Sequence, residues 1–213
     1  MSSNYLTAST SGIATAGGND GSLYIQTGPA GSPVNAITIN SSGQATLLNT
    51  PLITTPNASL LNVGVALTTT SGTAQGFTGI PAWVNRITMS LSQVGTSSTS
   101  LKQIQIGSGS YATTGYLGAS STMSSAVASV TSTTGFPIDS PYAADRLNGS
   151  VVLTRVTGNN WVASGVLVAN AGTNQTITCG GQITLGGVLD RIQLTTVNGT
   201  DTFAAGSLNI FWE

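Results

Sequence analysis

The chain has 213 residues and a formal net charge of −1, and charged side chains make up 5% of it, against a usual share of about a quarter. So weak a field excludes electrostatic steering toward nucleic acid or an anionic membrane. Histidine is absent, which removes the commonest general base, the commonest metal ligand and the ordinary switch near neutral pH.

Polar surface must therefore come from Ser, Thr, Asn and Gln, with Ser and Thr together roughly a quarter of the chain. Apolar residues are 39%, mostly Val, Ile, Leu and Ala. That is enough for a core and argues against overall disorder. One cysteine, Cys179, rules out an intrachain disulfide. The start, MSSNYLTAST, has neither a basic n-region nor an apolar h-region, and no apolar run reaches a membrane span. The expectation is a chain made in a cytosol, without membrane insertion.

In chain order, residues 1–60 read as a short extended β shaft or docking arm. GSLYIQTG and NAITINSSGQATLLN are short strands between Gly, Pro and Asn turns. Ala36–Ile39 and Gln44–Leu47 flank Asn40-Ser41-Ser42-Gly43, a hairpin signal. Large apolar residues are too few here to bury a core, so the segment is expected to need neighbours, including copies of itself. Leu48 to Leu61, with two prolines, reads as a linker. GGNDGS and GPAGSP are better explained as turns than as a phosphate cradle or collagen triplets.

Residues 61–213 alternate apolar and polar positions in run after run. WVNRITMSLSQV puts Trp83, Ile87, Met89 and Leu91 on one face, against Arg86, Thr88, Ser90 and Ser92. LKQIQIGSG sets Ile104 and Ile106 opposite Gln103 and Gln105. STMSSAVASV is too poor in charged partners for a helix and reads as β. VVLTRV and WVASGVLV flank Thr157-Gly158-Asn159-Asn160, a second hairpin signal. RIQLTT sets Ile192 and Leu194 against Arg191 and Gln193. SLNIFW sets Leu208, Ile210 and Trp212 inward, with Phe211 turned toward a loop or another subunit. These runs predict an all-β chain, an antiparallel β-sandwich of about eight strands, jelly-roll-like, with the last run closing the sandwich.

Candidate chemistry is sparse. Serines are many, but without histidine there is no ordinary triad. A Ser–Lys dyad would need Lys102, read as a solvated strand residue. Asp139 with Asp145, and Asp190 with Asp201, are the conceivable carboxylate pairs, and neither has a glycosidase context. Asp145–Arg146 and Asp190–Arg191 are adjacent in sequence. Strand alternation sends such neighbours to opposite faces, so neither is expected to pair with itself. Cys179, at an expected strand end, reads as a small buried hydrophobe. Asn198 and Asp201 would suit Ca²⁺, but NGTD is more simply a turn. Tyr111, Tyr116 and Tyr142, in polar connections, would stack on sugars or, more simply, pack loops or a subunit contact. The reading is of no enzyme, no cofactor and no metal, with binding residues unassigned. Without histidine, stability and assembly are expected to be flat between about pH 6 and pH 8.

GIPAWVNRITMSLSQV, then LKQIQIGSG, TTGY, NNWVASG and LDRIQLTTVNGTDTFAAGSLNIFWE, resembles the C-terminal domain of tailed-bacteriophage tail-fibre and related virion surface proteins. The resemblance covers roughly residues 77–213. GGNDGSLYIQTGPAGSPVNAITINSSGQATL is similar to the shaft repeats of phage fibres. The resemblance implies a non-enzymatic homotrimer on the virion surface, made in the host cytoplasm, with capsid or tail proteins as partners. The short arm suits a compact spike, head fibre or capsid decoration protein. The rival expectation is a tail-fibre adhesin whose loops bind host surface glycan. The family's pattern carries no ligand-contacting residue over to this chain.

Overall fold

The computed structural model describes residues 14–17, 23–27, 34–39, 42, 45–47, 61–124, 127–138, 145–170 and 174–213. The described residues form strands and turns without a helix, and none of them belongs to a helix long and apolar enough to cross a membrane. The chain divides into two compact units, Met1–Ser59 and Leu60–Glu213.

In the first unit, β1 (Ala14–Gly17), β2 (Leu23–Thr27), β3 (Val34–Ile39) and β4 (Ala45–Leu47) form one antiparallel four-stranded sheet in chain order. Ile39 pairs with Ala45, so the hairpin expected around Ser42 is present. The linker up to Leu60, GGNDGS beyond Gly17 and GPAGSP lie outside the described residues.

The second unit has fourteen described strands, more than the eight expected, because several are two- or three-residue pieces. They are β5 (Asn62–Val63), β6 (Leu67–Thr68), β7 (Ala74–Thr78), β8 (Arg86–Thr96), β9 (Lys102–Ser108), β10 (Ser110–Tyr111) and β11 (Leu117–Met123). After these come β12 (Val127–Ser132), β13 (Phe136–Ile138), β14 (Arg146–Thr157), β15 (Asn160–Asn170), β16 (Asn174–Thr184), β17 (Arg191–Thr196) and β18 (Phe203–Trp212). The larger sheet runs β12-β11-β16-β15-β14-β8-β18-β5, with β6 also on β18. The smaller runs β10-β9-β17-β7, with β13 also on β9. All pairings are antiparallel. This is a β-sandwich with a β14-β15-β16 meander at the centre of one sheet. The strand order does not define the finer jelly-roll wind.

Period-2 alternation builds the core. Ile87, Met89, Leu147, Val151, Leu153, Ile177 and Ile210 of the larger sheet are buried with Ile104, Ile106, Ile192 and Leu194 of the smaller. Each such side chain contributes roughly 1.5–3 kcal/mol by leaving water. Leu208 and Ile210 are buried as expected, and half-buried Trp212 packs against the same cluster. Phe211 faces the other way, half-buried, opposite Thr88 and Val63.

Trp83 departs from its expected face and is 50% exposed. Strand β8 starts only at Arg86. Trp83 lies in the preceding turn, where alternation has no meaning.

Two local devices fix register. Gly158 has φ 54° at the first central position of the β14–β15 hairpin, the glycine site of a II′ turn. Gln93 sits at φ 55° where the β8 register shifts, and Asn148 Oδ1 accepts from its backbone N–H at 2.9 Å. Gly206, at φ 95°, faces this bulge so closely that a β-carbon would lie 2.4 Å from the Gln93 backbone.

Candidate functional site

Nine charged residues are described in the second unit, and all sit at or near strand ends. Arg86, Lys102, Arg146 and Arg191 are each the first residue of a strand. Asp145 and Asp190 immediately precede strands, Asp201 lies in the β17–β18 connection, Glu213 follows β18, and Arg155 is near the end of β14. Strand pairing sorts them into two groups. Arg86, Arg155, Asp190, Arg191 and Glu213 lie at one end of the sandwich, and Lys102, Asp145, Arg146 and Asp201 at the other.

Between the ends, the outer face of the larger sheet carries no charge. One row across it reads Val63, Phe211, Thr88, Val152, Ser164, Gly180, Ala119 and Thr131.

At the second end, Lys102 corrects its sequence reading. It is fully buried, not solvated. It shares the inward parity of Ile104 and Ile106, so its stem enters the core. Its Nζ has no hydrogen-bond partner among the described residues. Burial pulls its pKa down to about 8, opposed by the charges of Asp145 and Asp201 and assisted by Arg146. Asp145 is also buried, while Asp139 and Tyr142 lie outside the described residues.

Asp201 belongs to a hydrogen-bonded turn. Its Oδ1 accepts from Asn198 Nδ2 at 2.6 Å and its Oδ2 from the Ser100 N–H at 3.0 Å. These bonds, Asn198 first, hold its carboxyl below the usual range. Asn198 Oδ1 in turn accepts from the Thr196 hydroxyl and from the N–H groups of Thr200 and Asp201. The Asn198 amide oxygen and both Asp201 carboxylate oxygens thus accept hydrogen bonds from the turn and from Ser100. Among the described residues, no three His, Cys, Asp or Glu side chains gather where a metal would sit.

Asp190 and Asp201 do not come together. They flank opposite ends of β17, about 20 Å apart at ~3.3 Å per residue. Asp190 and Arg191, however, do pair, contrary to the alternation argument. Asp190 precedes the strand and is free to curl back, with Arg191 Nε on Oδ1 at 2.8 Å and Nη2 on Oδ2 at 3.1 Å. That contact, first among several, lowers the Asp190 pKa. The Gly109 N–H also donates to both oxygens. The Tyr111 ring lies 5.7 Å from the Arg191 guanidinium carbon. A β-carbon on Gly76 would come within 2.5 Å of the Tyr111 hydroxyl oxygen.

Beside this cluster, Ile80 N–H donates to the Asp190 carbonyl at 3.0 Å. Ile80 and Val84 are buried on either side of Trp83, and Val84 N–H closes a turn onto Pro81. Arg155 donates to the Ala82 carbonyl. Asn85 and Arg86 N–H groups donate to the Glu213 carbonyl, and Arg86 pairs with the Glu213 carboxylate at 3.0 Å. Trp83 is therefore an exposed indole on a hydrogen-bonded turn. Sequence reasoning assigned it to the core and missed it as a site residue. The signal available was Pro81, two residues before it, which argues for a turn.

Tyr116 is a core residue, not a loop contact. It is fully buried, meets Phe136 edge-on at 5.0 Å, and exchanges hydrogen bonds with both the N–H and C=O of Ile106. Burial raises its pKa to about 12. Tyr116→Phe leaves the Ile106 N–H unpaired, and a loss of about 1–3 kcal/mol is expected in thermal or urea melts. A change within about 0.3 kcal/mol would mean that the hydroxyl does not close β9 in solution.

Cys179 lies within β16, not at a strand end, because the following glycines stay in the strand. It is half-buried, packs against the core, and desolvation raises its thiol pKa to about 11. The thiolate population at neutral pH is therefore negligible.

No protein-family model, curated protein or solved structure matches this chain.

Proposed function

We propose that the chain is a non-enzymatic structural protein of a bacteriophage virion surface, assembled as a homotrimer. The second unit packs side by side with its copies, and residues 1–60 serve as shaft or docking arm to capsid or tail proteins. The observation that carries this reading is the uncharged outer face of the larger sheet. A monomer's surface ordinarily mixes charges of both signs for solubility. Here hydroxyls, amides and valines cover the middle of the broad face, and the charges stand at its ends.

Such a face associates with little desolvation of ions. Charged residues are few, so little of the stability rests on pairs that salt would screen, which suits a particle component exposed to varied salt. The resemblance of residues 77–213 to virion surface domains supports the same reading. Electron microscopy of particles labelled with an antibody to residues 61–213 tests it. The expected result is regular decoration of the head, or of a fibre or spike. Unlabelled particles, with the protein free in the lysate, would overturn it.

A further inference from the structure

We propose that β12 is a self-pairing edge, through which the larger sheets of two copies of this chain join across a two-fold axis. Strand β12 ends the larger sheet and, among the described residues, pairs only with β11. In an antiparallel ladder every second residue turns its N–H and C=O away from the neighbouring strand. About three donors and three acceptors of β12 therefore point out of the sheet, with no backbone partner among the described residues. None of its six residues is buried, and Val127 is 74% exposed.

Folded chains protect such an edge with charge, proline, a bulge or a very short strand. VASVTS has neither charge nor proline. Its register on β11 runs from Gly118–Ser132 to Met123–Val127 without a shift. The other ends of the second unit's sheets are built differently. β5, β6 and β10 are two residues each, and β7 carries Gly76 at its centre, which weakens a strand. β12 is thus the regular edge left without protection.

The occupant that fits is the same strand of a second copy. Facing residues of an antiparallel pair point to one side of the sheet, so the axis must pass through a residue and not between two. An axis through Ser129 sets Val127 opposite Thr131 and Ala128 opposite Val130, and it brings exposed Val127 into the ladder. Every facing pair is small or β-branched and uncharged, so no like charges oppose the contact. An unrelated protein would have to present an equally uncharged strand, whereas every copy carries one. The two-fold contact uses up both edges and stops there. Five paired residues fall well short of the roughly 800 Å² per partner of a stable interface. The contact therefore dissociates at micromolar concentration and strengthens where copies are held side by side. It engages an edge and not the outer face, and so stands apart from the trimer reading.

Disulfide trapping tests it, on the full chain in a Cys179→Ala background at ~1 mM protein, suited to a weak contact. Facing Cα atoms lie about 4.5–5.5 Å apart, a span that a disulfide bridges. Mild oxidation of Ser129→Cys should give a covalent dimer on a non-reducing gel, in about tenfold the yield of Thr157→Cys, an exposed site at the end of β14. Val127→Cys and Thr131→Cys should each cross-link poorly alone, because like residues stand about 13 Å apart across the axis. An equal mixture of the two should cross-link well. The three β12 sites are exposed, so melting temperatures should match that of Cys179→Ala. A Ser129→Cys yield equal to that of Thr157→Cys overturns the proposal. So does Val127→Cys that cross-links with itself as readily as with Thr131→Cys.

Discussion

Lys102→Met is expected to stabilise the protein at pH 7 by about 1–3 kcal/mol and to raise its melting temperature by several degrees. The parent amine is fully buried without a hydrogen bond, and burial lowers its pKa from 10.5 to about 8. A shift of that size is worth about 3 kcal/mol against the charged form of the amine. It is already net of the attraction to Asp145 and Asp201, which lose their countercharge in the variant and so lower the gain.

The sign with pH follows from linkage. Between pH 8 and 10.5 the unfolded chain holds a proton on Lys102 that the folded protein has released, so stability rises with pH. Below about pH 8 the full penalty applies. Cys179 and Tyr116 act in the opposite sense, since their folded pKa values are raised to about 11 and about 12. They withdraw stability above their unfolded values of 9.0 and 10.0. The clean window is therefore pH 8 to 9, where the parent should gain about 1 kcal/mol in urea melts and Lys102→Met nothing. A destabilised Met variant that kept the pH 8–9 slope would show that another group titrates. The flat profile expected from the absence of histidine thus ends near pH 8, at a lysine.

Much of the fold was legible. Alternation in RITMSLSQV, RIQLTT and SLNIFW located β8, β17 and β18 and their buried faces, because an antiparallel strand with one wet face writes its orientation every second residue. Thr157–Asn160 announced its hairpin through Gly158. The failures share one cause, in that side-chain chemistry or strand parity was used where the other governed. Lys102 had the parity of Ile104 and Ile106, yet its charge argued for solvent. Trp83 and Asp190 were assigned by parity although they precede their strands, so the exposed indole and the Asp190–Arg191 pair went unseen. The gathering of charge at the sandwich ends was invisible in the sequence, since Arg86 and Glu213 are 127 residues apart and meet only through strand pairing. The burial of Tyr116 was equally hidden, because its partners Phe136 and Ile106 belong to other strands.

Val166→Lys should convert the assembled protein to monomers with little effect on the fold of each subunit. Val166 is 60% exposed on the outer face of β15, beside Ser150 and Thr178. In a monomer a lysine there keeps its ammonium in water, and surface changes of this kind stay within about 0.5 kcal/mol. In a trimer packed through this face, three ammonium groups lose water or face one another, and a buried unpaired charge costs several kcal/mol. Phe211→Ser should act in the same direction by removing aromatic area from the outer row it shares with Val63 and Thr88. Trp212→Ser should behave differently, because that side chain packs against the core and its loss leaves a cavity costing about 3 kcal/mol. Residues 63–213 alone should fold but associate more weakly than the full chain. Native mass spectrometry and light scattering at micromolar concentration check the first two variants, and thermal melts separate them from the third. A parent protein that is monomeric under these conditions, or a Val166→Lys variant that remains trimeric, would remove the larger sheet's outer face as the assembly surface. Equal unfolding by Phe211→Ser and Trp212→Ser would instead overturn the opposite facing of these two aromatics on β18.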